Sequence, residues 1–132
     1  MIEVYIDGAS AGNPGPSGAG IFIKKDGKVE RYSIPLGIMS NHEAEFHSLI
    51  HALKICLING YRVVSFRTDS ELVNRSMEKG FVKNKKYFAL LDKAMQLSKQ
   101  FDLFFIKWIP SIENKSADEL ARAAIRKNEE GK

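Results

Sequence analysis

Apolar positions in this chain alternate between two periods, and the changes of period mark its elements. Residues 2–6, Ile-Glu-Val-Tyr-Ile, alternate as in a half-buried strand. The stretch from Gly8 to Gly18, rich in Gly and Pro, reads as a loop. Ala19 to Lys25 and Val29 to Leu36 read as two further strands, with the hairpin signal Asp26-Gly27 between them. From Ser40 the period lengthens. Phe46, Leu49, Ile50, Leu53 and Leu57 recur at helical spacing, Ser40 and Glu43 form a capping-box pattern, and Gly60 ends the run. Arg62 to Arg67 is a fourth strand. A short helix runs from near Ser70 to before Gly80, and a longer one from Lys85 to Gln100. Asp102 to Ile109, dense in Leu, Phe, Ile and Trp and closed by Pro110, reads as a central strand. That places Phe104 to Ile106 and Trp108 in the core. A second capping box, Ser116 to Glu119, opens a final helix rich in Ala and Leu.

The resulting order is β-β-β-α-β-α-α-β-α. It predicts an α/β fold: a mixed five-stranded sheet flanked by helices, with right-handed crossovers. In such a sheet, sites form beyond the carboxyl ends of the parallel strands. The chain of 132 residues shows no repeat or linker and is expected to form a single domain, residues 1–132. Its hydrophobic fraction of 44% and charged fraction of 27% exclude a disordered chain. A net charge of +4 and a pI near 9.2 suit a polyanionic partner. The lone Cys56, inside the apolar run Leu53 to Ile58, excludes a disulfide framework or a four-cysteine zinc site and is expected to be buried. The opening Met-Ile-Glu-Val-Tyr-Ile-Asp-Gly carries neither a basic leader nor an apolar span, so a cytoplasmic protein without a membrane segment is expected.

Four acids fall at element ends bordering the buried surface. Asp7 ends the first strand and Asp69 the fourth. Glu45 lies in the first turns of the first long helix, on the side of Leu49 and Ala52. Asp118 lies in the first turn of the last helix, sharing a face with Ala121 and Ile125. Each has a structural explanation if taken alone: a turn at Asp7-Gly8, a cap at Asp69, a surface position for Glu45, a helix-dipole preference at Asp118. Converging, they repel unless a cation neutralises them, and hard oxygen ligands select Mg²⁺ or Mn²⁺. Two such ions roughly 4 Å apart are the apparatus of phosphodiester cleavage.

The stretch Tyr5-Ile6-Asp7-Gly8-Ala9, followed by Gly12-Asn13-Pro14-Gly15 and Gly18-Ala19-Gly20, resembles the opening of type 1 ribonucleases H. Ser40-Asn41 with Ala44-Glu45, then Thr68-Asp69-Ser70, then Asn114 to Arg122, are similar to that family's other motifs, in its order and across essentially the whole chain. The resemblance implies a ribonuclease H-like fold. It also implies an endoribonuclease that cuts the RNA strand of an RNA/DNA hybrid with two Mg²⁺ ions, Mn²⁺ being the alternative. Asp7, Glu45, Asp69 and Asp118 would be the catalytic, metal-binding tetrad, with Asp7 shared by both ions. Gly8, Ser10, Asn13, Asn41, Glu71 and Asn114 would be the substrate-side residues. Asn13 and Asn41 would read 2′-hydroxyls and base edges in the minor groove. A monomer is expected, with double-stranded RNA as a second candidate substrate.

Departures from the family pattern shape further expectations. Many members carry a histidine in the loop before the last helix; Trp108 to Glu113 has none, and Glu113 or Asn114 would take its part. Glu71 stands where Gln is frequent. The family's basic protrusion is reduced to Lys79, Lys83, Lys85 and Lys86, with Phe81 and Tyr87 between; this run is either a phosphate contact or a solvated loop. A catalytically weak or inactive ribonuclease H-like nucleic-acid-binding protein is the alternative, and the intact tetrad argues against it. A transposase or resolvase ranks last, because those lack the Gly-Asn-Pro-Gly loop and Asn41. His47 and His51 do not form a zincin motif, since Ser48 follows the first histidine, and the Gly8 to Gly20 stretch has no P-loop ending.

Overall fold

The computed structural model describes residues 1–130, with side chains as far as residue 127. Five strands, β1 (Ile2–Ser10), β2 (Gly15–Lys25), β3 (Lys28–Met39), β4 (Val63–Thr68) and β5 (Leu103–Trp108), form one sheet in the order β3-β2-β1-β4-β5. The β1, β2 and β3 pairs are antiparallel, whereas β1–β4 and β4–β5 are parallel. The helices are α1 (Asn41–Ile58), α2 (Glu71–Lys79), α3 (Phe88–Ser98) and α4 (Lys115–Glu130), with 3₁₀ turns at Lys85–Tyr87 and Ser111–Glu113. The mixed sheet and element order are those the hydrophobic periods predict.

The two faces of the sheet are covered unequally. Val4, Ile6, Ile21, Ile23, Val64 and Phe66 meet Phe46, Leu49 and Leu53 of α1 in the main core. The opposite face carries α4, which lies over β1, β2 and β3. Cys56 is buried, and that burial pushes its thiol up to about 12. Ser40 closes the expected capping box with Glu43 at the start of α1. Asp26 and Gly27 both have positive φ, as the hairpin signal requires.

Several expectations change. Most of the Gly8 to Gly18 stretch is strand, not loop, and only residues 11–14 lie outside β1 and β2. Gly8 and Gly18 of this stretch, and Gly20 just beyond it, let a helix backbone pack closely on the sheet, whereas Gly12 and Gly15 face the backbone of the turn itself. A Cβ on Gly8 would stand 2.2 Å from the Ala44 carbonyl oxygen of α1, and one on Gly20 would stand 1.9 Å from that of Ala117 in α4. β5 is an edge strand rather than a central one. Phe104 and Ile106 pack against the core, but Phe105 and Trp108 remain 47% and 44% exposed. α4 sits over β1 to β3 and leaves that end of the second face open, so an unbroken apolar run here does not mean burial on both sides. α4 starts at Lys115, so Ser116 lies in its first turn and does not cap it. The expected third helix opens with the 3₁₀ turn at Lys85–Tyr87, whose buried Tyr87 stacks on Phe46 at 5.4 Å, so Tyr87 belongs to the core rather than to a basic loop.

Candidate active site

The parallel pairing of β1 with β4 stops at Ile6 and Thr68, and an acid follows on each side; Asp69 lies just past β4, whereas Asp7 does not end its strand as expected, because β1 runs on to Ser10 paired with β2 alone. Asp7 follows Ile6, which pairs with Thr68, and Asp69 follows Thr68. Helix α1 brings Glu45 because Gly8 lets its backbone approach β1 at Ala44–Glu45. Helix α4 brings Asp118 because Gly20 lets it rest on β2 at Ala117 and Ala121. Asp7, Asp69 and Asp118 line one cleft of about 590 Å³ with Gly8, Ser10, Asn41, Ser111, Arg122 and Arg126. Glu45 stands at its margin, where its Oε1 meets His42 Nδ1 at 3.0 Å and its side chain is only 16% exposed.

Electrostatics tie the four together. Asp7 is buried, and its carboxyl pKa is pushed up to about 9, first by loss of solvent. The charge of Asp69, a hydrogen bond with Asp118, and the charges of Asp118 and Glu45 add to the rise. A buried carboxyl hemmed in by three others is a donor set suited to a hard divalent cation, which would relieve the repulsion directly. Among the described residues, no three acidic, histidine or cysteine side chains form a closed cage as they stand. Glu45 leans to His42, and Asp118 accepts from Arg122 Nε at 2.9 Å.

The substrate-side residues separate into groups. Asn13 and Asn41 interlock: Asn41 N donates to Asn13 Oδ1, and Ser10 N donates to Asn41 Oδ1, both at 3.1 Å. This leaves the Nδ2 donors of two exposed residues at the cleft mouth. Ser10 turns its hydroxyl inward to the Met39 carbonyl at 2.9 Å, so it offers the cleft backbone rather than side chain. Glu71 lies outside the cleft, in a groove with Asn74, Arg75 and Trp108, and pairs with Arg75 at 3.7 Å. Glu71→Gln is therefore expected to tighten hybrid binding only about two- to fivefold at low ionic strength, and not at all at high salt. Fluorescence anisotropy with a labelled hybrid at two salt concentrations measures it.

Two expectations about the loop before α4 need correction. Asn114 is not at the surface; it is 1% exposed, and its Nδ2 donates to the Ile6 carbonyl at 2.9 Å. It joins the middle of β1, one residue before Asp7, to the start of α4, and burial keeps it from substrate. Glu113 faces a separate groove with Tyr5, Phe22 and Lys24, so it does not replace the missing histidine; Ser111 is the residue of that loop lining the acidic cleft. Sequence reasoning did not single out His42, Arg122 and Arg126 as site residues. His42 and Arg122 lie three residues before Glu45 and four after Asp118, helical spacings that signal the pairings they make.

A mixed sheet ordered β3-β2-β1-β4-β5, with an acid-lined cleft at the carboxyl ends of its central strands, defines the ribonuclease H-like class. The family model described as "Reverse transcriptase-like" matches residues 5–124. The Enterococcus faecalis protein EbsB, named only provisionally as a hydrolase, is 45% identical over 96% of each chain. Ribonuclease HI of Halobacterium salinarum is 32% identical over 94% of this chain, which spans 64% of that protein's length. The crystal structure of ribonuclease H1 from that archaeon aligns at TM-score 0.89 and 31% identity, over 96% of this chain and 98% of that one. LC11 ribonuclease H1, a compost metagenome protein, crystallised in complex with an RNA/DNA hybrid, aligns at TM-score 0.88 and 32% identity, over 96% and 98%. The chain belongs to the type 1 ribonuclease H family, and it is a ribonuclease H.

Proposed function

We propose that this ribonuclease H hydrolyses the RNA strand of RNA/DNA hybrids in the cleft between β1, β4, α1 and α4. The observation that carries the reading is that the buried Asp7 shares one cleft with Asp69 and Asp118, and that burial and the charges of Asp69, Asp118 and Glu45 all push its carboxyl pKa up. Asp7, Glu45, Asp69 and Asp118 would hold two divalent cations, Mg²⁺ or Mn²⁺, which supply an activated water and charge stabilisation at the leaving oxygen. Arg122 and Arg126 on α4 place positive charge along the same cleft, where a phosphate backbone is attracted. The interlocked Asn13 and Asn41 hold the loop between β1 and β2 against the start of α1, and their amides suit 2′-hydroxyls in a minor groove. The LC11 complex with a hybrid supports this substrate, since that chain shares the fold over its length.

The test is a substrate panel. End-labelled RNA/DNA hybrid, double-stranded RNA and double-stranded DNA are incubated with Mg²⁺ or Mn²⁺. Cleavage of the hybrid RNA, with intact double-stranded DNA, is expected; hybrid left uncut with both ions contradicts the reading. Asn13→Ala and Asn41→Ala are each expected to weaken hybrid binding by about 1–2 kcal/mol, with divalent-ion affinity unchanged. Unaltered hybrid affinity in both variants removes the groove-reading role.

A further inference from the structure

Trp108 is the single tryptophan of the chain, and the reaction as described assigns it no part. It is the last residue of β5, in register with Thr68 at the end of β4. Its indole Nε1–H donates to the Asp69 carbonyl at 3.1 Å. The ring also borders a groove of about 190 Å³ with Glu71, Asn74 and Arg75.

The place where this bond lands matters. β4 ends at Thr68 and α2 begins at Glu71, so Asp69 sits in a two-residue connection outside both elements. One side of the connection is tied inward: Ser70 N donates to Thr68 Oγ1, and Ser70 Oγ accepts from Val73 N, both at 3.1 Å. Trp108 ties it from the neighbouring strand. A tryptophan recruited for packing alone would be covered, whereas this one keeps nearly half its surface open at a sheet edge.

We propose that Trp108 is a positioning residue. Its indole N–H holds the Asp69 backbone beside Asp7, and occupancy of the carboxylate site is felt at the exposed ring. The inference deepens the proposed function and rests on the carboxylates binding divalent cations.

Two measurements test it. The first uses the wild-type protein and the metal alone. Tryptophan emission is followed while Mg²⁺ is added without nucleic acid, with Asp7→Asn as the comparison. A saturable change in the wild type that vanishes in Asp7→Asn is expected. The second uses Trp108→Phe, which keeps an aromatic ring and removes the donor. Its kcat is expected to fall about 3- to 10-fold, the scale of one neutral hydrogen bond. KM for the hybrid should stay within about twofold, and the Mg²⁺ concentration for half-maximal rate should rise. A purely structural role would lower the thermal midpoint of Trp108→Phe and leave kcat and Mg²⁺ dependence of the folded protein unchanged, which overturns the proposal. Flat emission in a wild type that cleaves hybrid with Mg²⁺ also overturns it, and leaves the proposed function standing. A wild type that neither binds Mg²⁺ nor cleaves hybrid removes both.

Discussion

Asp7→Asn is expected to abolish cleavage and, without divalent ions, to make the protein more stable. Asp7 is the acid on which the others converge, and its carboxyl is the one whose pKa rises to about 9. The amide keeps the shape but cannot serve as an anionic ligand, so the loss of rate should be near complete. The gain in stability follows from proton linkage. The native state holds a proton on Asp7 that the unfolded chain, with an ordinary carboxyl near 3.8, releases. Raising the pH between those values therefore favours unfolding. Metal-free wild type should lose stability progressively as pH rises from the carboxylate range towards 9. Asp7→Asn should show a flatter curve and melt a few degrees higher at alkaline pH. Divalent ions displace that proton, so apparent Mg²⁺ affinity of the wild type should increase with pH over the same window. Melting curves at pH 5, 7 and 9, with and without Mg²⁺, measure all three effects. A wild type whose metal-free stability is level across that range removes the argument for a protonated Asp7.

Gly20→Ala is expected to damage both stability and activity, although the glycine touches no substrate. A Cβ there would stand 1.9 Å from the Ala117 carbonyl oxygen and 2.5 Å from the Ala121 nitrogen, both backbone atoms of α4 that no rotamer change can move. The helix has to shift away from β2, and overpacking of this kind costs roughly 1–3 kcal/mol. Asp118 lies one residue after Ala117, so the shift also carries a tetrad acid out of place, and displacement by about 1 Å can reduce rate a hundredfold. Urea unfolding gives the first effect, and kcat of the folded protein under native conditions gives the second. Wild-type stability in Gly20→Ala would mean that α4 does not pack on β2 as the structure places it.

The pattern of apolar positions revealed the architecture where its period could be read. Phe46, Leu49 and Leu53 repeat on one face of α1, and Val4 and Ile6 alternate on β1. The four acids were legible because Asp69 follows a strand, Glu45 and Asp118 lie in the first turns of helices, and Asp7 follows the apolar alternation of β1 where its pairing with β4 stops. What stayed hidden depends on which elements cover which. Glycines that admit a helix backbone look in sequence like those of a loop, so the Gly8 to Gly18 stretch reads as a loop although most of it is strand. The apolar run of β5 looks central, yet α4 covers the sheet only as far as β1, and Phe105 and Trp108 remain exposed. Asn114 carries a polar side chain typical of a surface, and only the fold reveals the Ile6 carbonyl that it satisfies. Glu113 was sequence-adjacent to the site and structurally in a different groove.

The most direct test of the central claim is an anomalous-scattering map from crystals of an Asp118→Asn variant grown with RNA/DNA hybrid and Mn²⁺. Manganese peaks are expected within about 2–2.6 Å of Asp7 oxygens, the range of hard-cation ligation, with the RNA strand of the hybrid across the cleft. A map with hybrid bound in the cleft and no manganese at Asp7 would contradict the account.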